Sequence, residues 1–148
     1  MRNILIVGVG GQGSLLASRI LGDLFMSEGL DVRVSEVHGM AQRGGSVVTY
    51  VRAGESVSSP IIPVGEADII IAFEQLEALR WIHFLKKDGQ IIYSTQKISP
   101  MPVITGAEAY PEDIGAKLSE ITSNTTSLDA LSLAVEAGTS KACNLVLL

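Results

Sequence analysis

The stretch Ile4-Leu5-Ile6-Val7-Gly8-Val9-Gly10-Gly11-Gln12-Gly13-Ser14 decides the fold. An apolar strand pattern runs directly into a glycine-rich loop, and the loop opens a helical pattern. Glycines so spaced permit a tight turn, close backbone approach to a phosphate and close packing of helix on strand. The amide N–H groups and the positive helix end can cradle an anion. Gly8, Gly10, Gly11, Gln12, Gly13 and Ser14 are therefore the candidate cofactor-binding residues. The alternative is that the glycines only let the helix pack closely while the pocket stays empty.

Working outward, Asn3 to Val9 reads as a central strand covered on both faces. Gln12 to Glu28 reads as an amphipathic helix with apolar Leu15, Leu16, Ile20, Leu24 and Phe25, and Gly29 stands at its C-cap. Leu30 to Val37 is a second strand. Ser46 to Arg52 follows too closely for a crossover helix, so it returns antiparallel. Ser56 to Pro63, with two prolines, is an edge or loop. Ala67 to Phe73 is a second buried strand and Glu74 to Leu85 a helix. Asp88-Gly89 makes a turn before a short strand at Gln90 to Ser94, and a weak strand is expected near Val103 and Ile104. Pro111 to Ile121 is a helix, Asn124 to Ser127 a polar break, and Leu128 to Ala137 and Ser140 to Leu148 two final helices. The pattern predicts an α/β fold: a three-layer, Rossmann-like domain with a mixed, mostly parallel sheet. Residues 1–148 read as one domain, and its end in mid-pattern at Leu145-Val146-Leu147-Leu148 suggests a truncated carboxyl terminus.

Hydrophobic residues make up 47% of the 148 residues against 18% charged, and the mean hydropathy is +0.35. That excess predicts a buried interface with other chains. The longest apolar run, Ile69 to Phe73, is far below the roughly 18 residues of a membrane span. Met1-Arg2-Asn3 leads at once into a strand, which predicts a cytoplasmic protein. A net charge of −5 without a Lys/Arg cluster argues against a nucleic-acid surface. Cys143, the single cysteine, cannot form an internal disulfide or supply a four-cysteine cluster.

Dinucleotide binding also asks for an acid about 20 residues past the glycines. Glu36 stands 23 residues after Gly13, but a loop dense in polar groups follows it. The form Gly8-x-Gly10-Gly11-x-Gly13-Ser14 also resembles the nucleotide loop of ubiquitin-activating-like adenylating enzymes. Their second strand leads to an aspartate and an asparagine-arginine segment, where this chain has Ser35-Glu36-Val37-His38-Gly39. An independent nucleotide-binding enzyme, NAD-dependent or adenylating, is thus the alternative function.

A second segment narrows the choice: Ser35-Glu36-Val37-His38-Gly39-Met40-Ala41-Gln42-Arg43-Gly44-Gly45-Ser46. With the first loop, Ala67 to Glu74 and Lys141 to Asn144, it resembles the gamma-type domain of 2-oxoacid:ferredoxin oxidoreductases, and within them the small subunit of the indolepyruvate type. The resemblance implies an accessory, non-catalytic subunit of a complex that decarboxylates a 2-oxoacid, passes electrons to ferredoxin and forms an acyl-CoA. Arylpyruvates are the substrates it implies. Thiamine diphosphate, Mg and the iron-sulfur clusters would be held by a large alpha subunit, leaving no cofactor on this chain alone. The isolated chain would be inactive, with no catalytic or metal-binding residue of its own.

In the second segment, Gly39, Gly44 and Gly45 allow tight turns, while His38, Gln42 and Arg43 supply a titratable ring, an amide and a fixed cation. His38, Gln42, Arg43, Gly44 and Gly45 form either a loop that contacts CoA phosphates or the substrate carboxylate, or one that packs at the subunit interface. Trp81, His83 and Cys143 read as packing or surface residues. Glu74 stands at a strand's carboxyl end, a frequent site position, although a helix N-terminus also favours an acid there.

Overall fold

The computed structural model describes residues 1–41 and 44–148. β1 (Arg2–Val9) is buried along nearly its whole length and lies inside the sheet. It pairs antiparallel with β3 (Ser46–Gly54) on one side and parallel with β4 (Ala67–Ala72) on the other. Outside β3 runs β2 (Asp31–His38), again antiparallel to it. Beyond β4 come β5 (Leu85–Ser94) and β6 (Thr125–Leu128), both parallel. The order is β2-β3-β1-β4-β5-β6, so β3 alone opposes the rest. The expected mixed, mostly parallel sheet is what the chain forms.

Helices cover both faces. On one lie α1 (Ser14–Ser27), α5 (Ala130–Glu136) and α6 (Cys143–Val146), over a cluster that includes Ile4, Ile6, Phe25, Ile71, Phe73 and Leu147. On the other, α2 (Gln75–Trp81) and α4 (Ile114–Ile121) cover Leu5, Val7, Tyr50, Ile70, Ile91 and Leu118. α3 (Met101–Ile104) is one exposed turn beyond the end of β5.

Five expectations need correction. Leu15, Leu16, Ile20 and Leu24 of α1 are exposed, and Ala17, Ser18, Gly22 and Phe25 face the sheet instead. Small residues let the helix axis approach the strands, whose own Ile and Val side chains fill the layer. Asn124 to Ser127 is not simply a break: from Thr125 onward it is edge strand β6, whose Thr and Ser side chains suit half-solvated pairing on β5. Val103 and Ile104 are helical, because Pro100 caps the turn and Pro102 fits its first positions but could not donate to a ladder. Leu85 belongs to β5, after a 3-10 turn at Ile82–Phe84. Asp88-Gly89 is an irregularity inside that strand, where the register moves from Ala67↔Leu85 to Ile69↔Gln90 and Asp88 takes φ 65°.

Candidate functional site

The carboxyl ends of β1, β2, β4 and β5 and the start of β3 meet at one edge of the sheet. This places the glycine loop beside the second segment. Gly10 N donates to Gly45 O at 2.9 Å, joining the two motifs through the backbone. Gly13 precedes α1 with φ 86° and Gly11 has φ 99°. Between the motifs lies a cleft of about 300 Å³ lined by Gly10, Gly11, Ser14, Glu36, His38 and Val47.

Side chains of the same molecule brace the glycine loop. Gln12 reaches from the end of parallel β1 to the end of β4, where the connections to α1 and α2 leave to opposite faces: its Oε1 accepts from Val9 N at 2.8 Å and its Nε2 donates to Phe73 O at 3.0 Å. Asn144 of α6, buried, donates through Nδ2 to Gly13 O at 3.2 Å. A Cβ on Gly13 would stand 2.5 Å from that nitrogen, so this glycine makes room for a side chain of the same molecule. A Cβ on Gly8 would lie 2.9 Å from Gln12 Oε1 and 3.2 Å from Phe73 Cβ. Glu36 Oε2 accepts from Ser14 Oγ at 2.9 Å and from Thr49 Oγ1 at 3.1 Å. A carboxylate therefore already sits near the positive end of α1.

The second segment is anchored at its far end. Ser46 Oγ donates to Glu77, a carboxylate only 4% exposed that also accepts from Trp81 Nε1 at 3.2 Å and Arg80 Nε at 3.1 Å. Gly45 packs so tightly on Ala41 that a Cβ would fall 2.5 Å from the Ala41 carbonyl oxygen. Gly44 has φ 77°. His38 is exposed, its Nδ1 3.1 Å from Gly39 O. Gln42 and Arg43 lie outside the described residues. A 410 Å³ groove, lined mainly by apolar groups, runs from Val9, Ala41, Gly44 and Gly45 past Glu77 and Arg80 to α3.

Glu74 stands two residues beyond β4, at the N-cap of α2, and is 1% exposed. Its Oε2 caps α2 by accepting from Glu77 N at 3.0 Å, while Oε1 accepts from Ile98 N at 3.1 Å and from the Tyr110 hydroxyl. One carboxylate thus holds the chain on both sides of α3. Burial and this bond push the Tyr110 phenol above its ordinary pKa. Sequence reasoning placed Glu74 at the right strand end but missed Glu77 and Arg80. The available signal was an acid three residues after a capping acid, Glu74-Gln75-Leu76-Glu77.

The cleft, the groove and both motifs share the sheet edge where open α/β folds present their sites. The family model for pyruvate ferredoxin/flavodoxin oxidoreductase matches residues 3–148. The chain belongs to this family. Among curated members of the oxidoreductase family, indolepyruvate oxidoreductase subunit IorB of Thermococcus kodakarensis is 44% identical over 99% of this chain and 74% of its own length. The protein of the same name from Archaeoglobus fulgidus is 46% identical over 97% and 72%. The gamma subunit of a keto/oxoacid ferredoxin oxidoreductase from Geobacter sulfurreducens has the same fold, with a TM-score of 0.65 at 19% identity over 98% of this chain and 72% of that one. A 2-oxoglutarate:ferredoxin oxidoreductase from Magnetococcus marinus, solved with 2-oxoglutarate, coenzyme A and succinyl-CoA, matches with a TM-score of 0.65 at 16% identity over 97% of this chain and 22% of that longer one. Among the described residues, no helix is long and apolar enough to cross a membrane, and no three His, Cys, Asp or Glu side chains are grouped to hold a metal.

Proposed function

We propose that this chain is the accessory subunit of a cytoplasmic 2-oxoacid:ferredoxin oxidoreductase of the indolepyruvate type, with residues 1–148 forming its gamma-type domain. The observation that carries this reading is 44% identity to a subunit of that name across 99% of the chain. A large alpha subunit holds thiamine diphosphate, Mg and the iron-sulfur clusters, and the assembled complex reduces ferredoxin and forms acyl-CoA. This chain supplies a rigid sheet edge and the loop from His38 to Gly45. Its glycine loop acts as scaffold: Gln12 ties the end of β1 to Phe73, and Asn144 ties Gly13 to α6.

The loop carries Arg43, whose fixed charge suits a CoA phosphate or an oxoacid carboxylate. In the complex reconstituted from full-length subunits, Arg43→Ala is expected to raise KM for CoA or for the oxoacid several-fold, with the subunit retained. Dissociation would make the loop an interface element instead. Unchanged kinetics and assembly would remove both roles. The alternative, an independent nucleotide-binding enzyme, predicts tight NAD or ATP binding by the full chain, and titration calorimetry decides between them.

A further inference from the structure

The groove beside α3 has a cationic end that the proposed function leaves unused. Its wall is apolar: Val9, Leu76, Ile98, Met101 and Ile104 line its 410 Å³, and Met101 and Ile104 remain largely exposed. On the far side of α3 a second cavity, of about 510 Å³, shares Leu76, Arg80, Pro100 and Pro102 with the groove. α3 buries none of its own residues and stands as a bridge between the two. Among the described residues, Arg80 is the only cation lining either cavity.

Arg80 is oriented by its ion pair but not consumed by it. Its Nε donates to Glu77 at 3.1 Å, and Glu77, 4% exposed, is fixed in turn by Ser46 Oγ and by Trp81 Nε1 at 3.2 Å. Among the described residues Nη1 and Nη2 of Arg80 have no protein partner, and its side chain is 48% exposed. A guanidinium anchored through Nε presents its two terminal nitrogens as a fork, the geometry that takes a carboxylate by two parallel hydrogen bonds. An apolar wall with a few convergent polar groups at one end, in a space of about 300–1,000 Å³, is the usual form of a small-molecule site. The Met101 thioether favours an aromatic ring as the apolar part. An acid carrying only a methyl group would leave most of this wall in water.

We propose that the groove binds an aryl carboxylic acid, with the carboxylate on Nη1 and Nη2 of Arg80 and the ring against Leu76, Ile98 and Met101. That the natural ligand is the aryl 2-oxoacid rests on the accessory-subunit reading; the site itself does not. The probe is 3-phenylpropionate, which has the ring and the carboxylate but no reactive keto group. In the isotope-labelled full-length chain it should shift the Trp81 indole N–H resonance saturably, with a Kd on the order of 1 mM. Its amide and propionate should each bind at least about tenfold more weakly, because one lacks the charge and the other the ring. Arg80→Gln should weaken the acid about tenfold and leave the amide unchanged, a difference that a purely structural Arg80 would not produce. No shift at about 20 mM probe, equal binding of acid and amide, or unchanged binding of the acid in Arg80→Gln would overturn the proposal. So would displacement of the probe by coenzyme A but not by phenylpyruvate, which would make the groove a coenzyme seat. Copurification with the large subunit tests the accessory-subunit reading separately, and its failure would leave the Arg80 site standing.

Discussion

Gly13 combines a left-handed backbone with no space for a Cβ, because Asn144 stands against it. Gly13→Ala is expected to cost about 1–3 kcal/mol through strain and displacement of Asn144. Chemical denaturation of the full chain measures the loss, and faster hydrogen exchange at Cys143–Val146 would locate it at α6. Tyr110 offers a second test. Its phenol is held above its ordinary pKa near 10 by burial and by Glu74, so the folded chain keeps this proton more tightly than the unfolded chain does. The resulting stabilisation is fully present below pH 10 and is lost as pH rises through the raised pKa. The unfolding midpoint should therefore fall more steeply above pH 10 in the native chain than in Tyr110→Phe; equal slopes would contradict the assignment.

At the scale of elements, α1 shows how a pattern can be right about a helix and wrong about its face. Its leucines mark amphipathicity, yet Ala17, Ser18 and Gly22 are what the sheet accepts. Gly29 ends the helix as expected: with φ 80°, its N–H donates to Met26 O and the following Leu30 N–H to Phe25 O. Gly22 has room for more, since an added Cβ would meet Val32 and Val34 at 3.8 and 4.0 Å. Gly22→Ala should stabilise the chain by about 0.5–1 kcal/mol by relieving helix-interior glycine entropy, read as a rise in Tm. β6 was hidden for the converse reason. Thr125-Thr126-Ser127 carries little apolar signal, and its strand character comes from a free β5 edge, where Ile91 N donates to Asn124 O and Thr95 N to Leu128 O.

For the whole molecule, the two sheet edges differ in kind. One gathers both motifs, Glu74, Glu77 and the groove beside α3. The other presents a polar depression of about 290 Å³ at Lys86, Lys87, Asp88 and Asn124, where Lys86 pairs with Asp68. If the first edge serves the complex, assembly with the large subunit should slow hydrogen exchange at His38–Ala41 and Ser46 and leave Lys86–Asp88 unchanged. Protection confined to Lys86–Asp88 would place the functional contact at the wrong end of the strands.

The sequence by itself determined the strand-loop-helix start, the antiparallel return of β3 and the mixed sheet. Glycine spacing, β-branched runs and a connection too short for a crossover each act locally and are written in neighbouring residues. The position of the second motif at the sheet edge was legible in the same way, since the strand before it and the strand after it bound it. Tertiary structure alone decided which face of α1 is buried, that Gln12 and Asn144 brace the glycine loop, and that Glu74 and Glu77 anchor α3 and Ser46. Those contacts join residues as far apart as Gly13 and Asn144, and no local pattern encodes a pairing that exists only once the layers have closed.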